Sequence, residues 1–261
     1  MEIIIRENEA MATDLTARVI ADSIRRKPKL VLGLATGRTM ENLYARLVEE
    51  HTENGLDFSL CETFNLDEYV GLPPENPNSY RYYMNKHLFS KINIDIRNTH
   101  LPDGMAEDLV EAAERYEQLI IDAGGIDLQL LGIGRSGHIG FNEPLSALQS
   151  RTREKALTPV TIAQNSPLFD PPESMPKQAM TMGVGTILDA KRIIMLVTGE
   201  EKADILAKAV EGPVTSMISA SALQLHPKCT VIVDEAAASK LVEKEYYRWI
   251  FDNDPEWQDY R

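Results

Sequence analysis

Residues 127–144 read DLQLLGIGRSGHIGFNEP, and this stretch indicates the fold class. It joins a short apolar run, Ile126–Ile133, to a glycine-rich loop, as a buried strand does where it ends. Similar short apolar runs rich in β-branched residues recur at Ile3–Ile5, Leu30–Leu34, Leu60–Asn65, Ile193–Thr198 and Thr230–Asp234. We interpret each of these runs as a strand of one buried sheet.

Stretches with helical periodicity lie between several of these runs, at Met40–Glu53, Ser79–Phe89, Ala106–Ala123, Lys202–Val210 and Ala236–Lys244. Strands that alternate with helices need crossover connections, which produce parallel pairing. We therefore predict a single-domain α/β fold: an open, mostly parallel, Rossmann-like sheet with helices on both faces. In such sheets ligands bind beyond the carboxyl ends of the strands.

Composition restricts the class of partner. The chain has 261 residues and a formal net charge of -13, which argues against nucleic acid. Cys61 and Cys229 lie inside apolar runs, so we expect buried core residues instead of a disulfide or metal ligands. The N-terminus lacks the pattern of a signal peptide, and no apolar run approaches the roughly 20 residues that span a bilayer. We expect a soluble, cytoplasmic protein with no membrane contact.

The first polar strand end is residues 35–39, ATGRT, directly after Leu30–Leu34. Small residues let the backbone approach a ligand, and amides at a helix start favour an anion. The hydroxyls of Thr36 and Thr39 and the guanidinium of Arg38 add donors. The alternative is an ordinary tight turn in which Thr39 is the N-cap of the following helix. The segment alone leaves both interpretations open.

The second polar strand end follows Leu60–Asn65 and carries Asp67 and Glu68. Carboxylates at a strand end are well placed for proton transfer, and partial burial raises a pKa into a useful range. The alternative is that both carboxylates cap the next segment or are solvated.

The third polar strand end is the glycine-rich loop that holds Ser136, His138 and Glu143. His138 is flanked by glycines at a strand end, so we expect an imidazole on a flexible backbone within reach of a ligand. The alternative is a structural histidine. Ser136 lacks the glycine spacing of a nucleophile elbow, and the chain has no Cys/His cluster with metal-ligand spacing.

Several long motifs occur in an order that resembles the glucosamine-6-phosphate deaminase (isomerase) family. They are FNLDEYVGLPPENPNSY at 64–80, GIGRSGHIGFNEP at 132–144, SRTREK at 150–155, AMTMGVGTILDA at 179–190 and ALQLHPK at 222–228. The resemblance extends from about Ile3 to about Leu241. The related 6-phosphogluconolactonases share the fold but lack the FNxDEY and GFNEP motifs.

The resemblance implies a hydrolase of amino-sugar catabolism that converts glucosamine 6-phosphate and water to fructose 6-phosphate and ammonia, with no cofactor and no metal. His138 resembles the family's ring-opening base, and Glu143 resembles the carboxylate that supports it. Asp67 resembles the base that moves the C2 proton to C1. The phosphate is expected on a cradle formed by Ala35, Thr36, Gly37, Arg38 and Thr39, helped by Lys202.

Three positions depart from the family pattern. Ser136 stands where many members have Asp or Asn, and a serine can hydrogen-bond an imidazole but cannot stabilise its charge. Pro167 stands where a well-studied branch has a phosphate-binding arginine. Arg38 stands where that branch has glycine, which leads to the hypothesis that Arg38 supplies the missing charge from the other side of the site.

The resemblance also suggests an allosteric site at a subunit interface, with Ser146, Arg153 and Lys155 as its residues. A charged surface strand is the alternative interpretation of SRTREK. A homo-oligomer, such as a hexamer, is implied by resemblance alone. We assign residues 1–245 to the catalytic domain and 246–261 to a C-terminal tail that packs on a neighbouring subunit or stays mobile.

Three functions compete on this sequence. The leading one is the deaminase. The second is a related sugar-phosphate isomerase or a 6-phosphogluconolactonase on the same scaffold. The third is a catalytically impaired sugar-phosphate sensor, for which Ser136 is the only indication.

Overall fold

The computed structural model describes residues 1–261. Its strands are β1 (Glu2–Arg6), β2 (Val31–Leu34), β3 (Glu62–Asn65), β4 (Asp67–Tyr69), β5 (Thr99–His100), β6 (Leu128–Leu131), β7 (Arg153–Ala156), β8 (Gln178–Thr181), β9 (Ile193–Val197) and β10 (Cys229–Asp234). Its helices are α1 (Glu9–Arg26), α2 (Arg38–Asn54), α3 (Tyr80–His87), α4 (Leu109–Asp122), α5 (Pro159–Asn165), α6 (Val184–Leu188), α7 (Ala203–Val210) and α8 (Lys244–Asn253).

Seven strands form one parallel sheet in the order β1-β10-β9-β6-β2-β3-β5. Every residue of the central strands β2, β6, β9 and β10 is buried, so helices cover both faces of the sheet. All six apolar runs identified in the sequence are strands of this sheet. The predicted α/β class is confirmed. None of the helices has both the length and the apolar composition needed to cross a bilayer.

A second, antiparallel sheet of three short strands has the order β4-β8-β7. Thr181, on the middle strand β8, lies opposite Asp67 of β4 on one side and opposite Arg153 of β7 on the other. The sequence analysis did not predict these strands, because they are three or four residues long and mostly polar. Of the three, β4 contributes residues to the lining of the cleft described below.

Two helix predictions need correction. The interpretation of Ala236–Lys244 as a helix is wrong: a short 3-10 turn covers Ala237–Lys240, and α8 begins only at Lys244. Helix α1 was missed. Its buried face combines large apolar residues, among them Leu15 and Ile20, with alanines and two threonines, Thr13 and Thr16, so its apolar pattern is diluted. Both cysteines are free and buried, as expected.

The C-terminal residues pack on their own chain. Trp257 is completely buried within the same hydrophobic core as β1, and its indole N–H lies 3.3 Å from Glu2 Oε2. The guanidinium of Arg6 stacks over Phe251, 4.9 Å from the ring centroid. The tail therefore covers the edge strand β1 of its own sheet.

Replacement of Trp257 by alanine tests this packing. Trp257→Ala opens a cavity in the core and is expected to lower the free energy of unfolding by about 3–5 kcal/mol. Trp249 on α8 is 59% exposed, so Trp249→Ala is the matched control, with an expected change within about 0.5 kcal/mol. Urea denaturation of both variants measures the difference; equal values would contradict a docked tail.

Candidate active site

A cleft of about 620 Å³ lies at the carboxyl ends of the central parallel strands. Its walls are the segments that follow β2, β3, β6 and β9, together with residues of α3 and of the stretch around Phe169. This is the location that strand topology predicts for a ligand. The three polar strand ends found in the sequence meet here.

The five cradle residues 35–39 and Lys202 all line this cleft. Helix α2 begins at Arg38 with Gly37 as its N-cap, so the alternative that Thr39 is the N-cap is wrong. Gly37 has φ +115°, which disfavours other residues and leaves the first amides of α2 open toward the cleft. Tyr83 Oη donates to Gly37 O at 2.8 Å and fixes the turn.

Two cations border this cradle. Lys202 Nζ donates to Ile133 O at 3.0 Å, and burial lowers the pKa of its ammonium; Glu201 opposes this shift and Arg135 adds to it. The Arg38 side chain is exposed and forms no salt bridge. An unpaired guanidinium and an ammonium beside a helix N-terminus are a local anion site within an acidic protein.

Asp67 is the first residue of β4, lines the cleft and is 6% exposed. Burial, and secondarily the neighbouring charge of Glu68, raises the pKa of its carboxyl to about 8. No side-chain or backbone donor stabilises its ionised form. Asp67 is therefore a carboxylate whose proton affinity suits a general base near neutral pH.

Glu68, the next residue, has the opposite environment. Its carboxylate accepts hydrogen bonds from the backbone N–H groups of Tyr69, Tyr80 and Arg81 at 2.9–3.0 Å and from Ser79 Oγ at 2.8 Å. Three of these donors belong to the first turn of α3 and its N-cap, where a negative charge is favourable. The capping alternative thus holds for Glu68 and not for Asp67.

The His138 ring lines the cleft and has two polar neighbours behind it. Nδ1 lies 2.7 Å from Ser136 Oγ and 3.3 Å from Glu143 Oε2. Glu143 itself is 2% exposed, and its other oxygen accepts hydrogen bonds from Thr158 Oγ1 at 3.1 Å and from Thr161 Oγ1. Burial alone would raise the pKa of Glu143, but His138 and Thr161 lower it to about 2.

Ser136 and Glu143 differ in what they offer the imidazole. The serine hydroxyl is at hydrogen-bond distance from Nδ1, whereas the ionised Glu143 places beside it a negative charge that a serine lacks. Nε2 is left without a protein partner. The structure thus brings together the histidine, serine and glutamate that the sequence analysis selected from this loop.

A short connection joins the histidine loop to the strand of Asp67. Phe141 N donates to Thr181 Oγ1 at 3.0 Å, and Thr181 is the strand partner of Asp67. Gly140 has φ +55°, and a Cβ added there would lie 2.9 Å from Thr181 Oγ1 and 3.4 Å from Asp67 Oδ2. Only glycine fits, so the loop can approach the base closely.

Sequence reasoning missed the aromatic wall of this cleft, formed by Tyr69, Tyr80, Phe141 and Phe169. Alternation along the DEY motif would have placed Tyr69 on the same face as Asp67, but β4 was not recognised as a strand. Asn65, named in the same motif, is buried and does not line the cleft.

The three residues selected for an effector site lie outside this cleft. Arg153 donates to Ser146 Oγ at 3.2 Å and to Asn142 Oδ1 at 2.9 Å, so Ser146 and Arg153 are in contact. Lys155 is two residues further along β7, on the same face as Arg153, with no hydrogen bond to either. No group of three or more His, Cys, Asp or Glu side chains could hold a metal ion.

Comparison with known proteins identifies a family. Residues 6–232 match the family model described as glucosamine-6-phosphate isomerases/6-phosphogluconolactonase. The chain is 52% identical over 250 residues to the glucosamine-6-phosphate deaminase of Shewanella loihica, covering 96% of this chain and 93% of that protein. It is 47% identical over 258 residues to the enzyme of the same name from Arthrobacter sp. strain FB24, covering 99% of both.

Solved structures agree with these matches. A monomeric glucosamine-6-phosphate deaminase superposes with a TM-score of 0.90 and 44% identity, covering 92% of this chain and all of that one. The 6-phosphogluconolactonase of Trypanosoma brucei superposes with a TM-score of 0.73 and 21% identity, covering 92% and 98%. At that identity the second likeness concerns the fold alone.

The raised pKa of Asp67 predicts a pH-dependent cost in stability. The folded value of about 8 exceeds the usual 3.8, so the folded state binds the extra proton and the wild type loses stability as pH rises from about 4 to about 8. Asp67→Asn removes this titration. The free energy of unfolding of the variant minus that of the wild type should rise across this window, by up to about 1.4 kcal/mol per pH unit. A flat difference in urea denaturation between pH 4 and 8 would contradict the assignment.

Proposed function

Because this chain belongs to the family of glucosamine-6-phosphate isomerases and 6-phosphogluconolactonases, we propose that it is a glucosamine-6-phosphate deaminase. It would convert glucosamine 6-phosphate and water to fructose 6-phosphate and ammonia. The relatives that carry this name are about half identical to it over nearly its whole length, whereas the phosphogluconolactonase likeness is limited to the fold.

One observation supports the deaminase most directly. The cleft is lined by a buried, donor-free carboxylate, Asp67, and by His138, whose Nδ1 lies 3.3 Å from the buried carboxylate of Glu143. Groups whose environments push their pKa values apart are the usual sign of divided acid and base roles. Hydrolysis of a lactone needs no base that removes a proton from carbon. A sensor that only binds the sugar phosphate needs neither such a base nor an imidazole–carboxylate pair.

The first step opens the sugar ring. Nε2 of His138 takes the proton of the anomeric hydroxyl as the C1–O5 bond breaks, and the imidazolium then delivers that proton to the ring oxygen O5. Glu143 stabilises the imidazolium through Nδ1, 3.3 Å away, while Ser136 holds the ring in place. Ring opening must come first, because the C2 proton becomes acidic only beside the open-chain aldehyde.

The second step moves a proton between adjacent carbons. Asp67 removes the C2 proton to give an enolamine and returns it to C1, which leaves an imine at C2. Water then adds to C2, the C–N bond breaks and ammonia leaves, so the water oxygen becomes the ketone oxygen of fructose 6-phosphate. One carboxylate fixed on one face of the substrate serves both transfers.

The substrate phosphate is assigned to the cradle of residues 35–39. Support comes from the exposed amides of α2, the hydroxyls of Thr36 and Thr39, and the two cations Lys202 and Arg38. We assign to Arg38 the positive charge that Pro167 cannot supply.

We extend the proposal to assembly, regulation and location on family resemblance. The protein would be a cytoplasmic homo-oligomer whose effector site includes Ser146, Arg153 and Lys155. The contact between Arg153 and Ser146 supports a shared role for these two residues. One solved relative is described as monomeric, so a hexamer is not a general property of these enzymes.

The activity itself is the first test. Purified protein incubated with glucosamine 6-phosphate should release ammonia and fructose 6-phosphate in equal amounts. Asp67→Asn should lower kcat by about 10²–10⁴-fold, since it removes the proton carrier and keeps the shape. No ammonia from the wild type, or full activity in Asp67→Asn, would overturn the proposal. Parallel incubation with a 6-phosphogluconolactone detects the alternative function.

Arg38 is tested by its effect on substrate affinity. Arg38→Ala removes a charge-assisted contact to phosphate, so KM for glucosamine 6-phosphate should rise about 10-fold or more with kcat little changed. Arg97 is 86% exposed and pairs only with Asp95, and Arg97→Ala is the matched control. A KM in Arg38→Ala equal to that of the control would show that Arg38 does not bind phosphate.

A further inference from the structure

Tyr69 shares a strand face with the proposed base. Side chains alternate along a strand, so Asp67 and Tyr69 point to one side of β4 and Glu68 points to the other. Both Asp67 and Tyr69 line the cleft, and Glu68 does not. Two residues of a strand span roughly 7 Å, which places the Tyr69 ring beside the base within the same cavity.

The Tyr69 hydroxyl is held from two sides. Tyr80 Oη donates to it at 3.4 Å and Asn165 Nδ2 donates at 3.2 Å. Thr36, in the phosphate cradle, is within hydrogen-bonding reach of the Tyr80 hydroxyl. A chain of polar groups therefore runs from the cradle through Tyr80 to Tyr69.

Aromatic packing fixes the ring itself. The Tyr69 ring centroid lies 5.0 Å from that of Tyr80, 5.6 Å from that of Phe141 and 5.6 Å from that of Phe169. Such neighbours leave the ring little freedom, so its hydroxyl occupies a defined place in the cleft.

The Tyr69 hydroxyl can still donate one hydrogen bond. Two donors occupy its oxygen, while its own O–H finds no acceptor on the protein. Burial raises the pKa of Tyr69 to about 12, so the phenol keeps its proton at neutral pH. A buried O–H without an acceptor is costly, and a ligand oxygen in the cleft would remove that cost.

We propose that the Tyr69 hydroxyl binds the C3 or C4 hydroxyl of the open-chain sugar phosphate and is a specificity-determining residue, with Tyr80 and Asn165 as its positioning residues. The inference rests on the proposed function, which places C1 and C2 at Asp67 and the phosphate at the cradle. A sugar phosphate that spans these two ends would pass along the cleft wall that includes Tyr69, which lies two residues from Asp67 on the same face of β4. Because glucosamine and galactosamine 6-phosphates differ at C4, this contact bears on the choice between the two epimers.

The test combines a protein change with a ligand change. Tyr69→Phe keeps the ring packing and removes the hydroxyl, and kcat/KM for glucosamine 6-phosphate should fall about 10-fold. With the wild type, the 3-deoxy or the 4-deoxy analogue should show a similar loss. In Tyr69→Phe that analogue should show no further loss, because the contact is already gone. The inhibition constant of inorganic phosphate should stay unchanged, since the cradle is intact.

Tyr246→Phe is the matched control, because Tyr246 is 56% exposed on α8 and should behave as the wild type. An unaltered kcat/KM in Tyr69→Phe, or analogue losses that add fully to that of the variant, would overturn the proposal. Should Tyr69→Phe fail to fold, Tyr80→Phe carries the same test with a smaller loss. If the wild type releases no ammonia, the proposed function is wrong, whatever Tyr69 does. The contact of Tyr69 is then tested by calorimetry: fructose 6-phosphate and its 3-deoxy and 4-deoxy analogues are bound to the wild type and to Tyr69→Phe, and the losses in affinity from the variant and from the analogue should again not add.

Discussion

The buried carboxylate of Glu68, held by the first turn of α3, is the interaction on which the site depends. Four donors surround it, three of them from Ser79, Tyr80 and Arg81. This contact fixes the direction of the three-residue strand β4, and alternation along the strand then presents the residues on either side of Glu68 to the cleft. Loss of an acceptor here would leave several buried donors without partners, at a cost of about 1–3 kcal/mol each.

Asp67 and Glu143 are both buried, but their surroundings have opposite effects on their ionisation. Asp67 is deprived of donors and lies beside a fixed negative charge, which keeps its proton affinity high. Glu143, on the loop opposite, is surrounded by hydroxyls and an imidazole that keep it ionised. In the proposed reaction, one carboxylate would therefore carry a mobile proton for the isomerisation and the other would keep a permanent charge for ring opening.

Much of this arrangement could be predicted from the sequence, for identifiable reasons. The central strands are continuous apolar runs, because both faces of a parallel sheet are buried, and such runs are easy to recognise. The three polar strand ends converge because parallel strands share a carboxyl edge. Strand β4 escaped recognition, since DEY has no apolar periodicity and its strand character comes from pairing with β8. The aromatic wall of the cleft was therefore missed, and so was the difference in environment between Asp67 and Glu68.

The environment of Asp67 can be measured without reference to turnover. Protein labelled with ¹³C at aspartate carboxyls is titrated by NMR, and the Asp67 signal is assigned by its absence from Asp67→Asn. We expect a midpoint near pH 8, because burial and the charge of Glu68 both oppose ionisation of this carboxyl. A midpoint near 4, the value of an exposed aspartate, would contradict the central claim that this carboxylate is poised as a base by its surroundings.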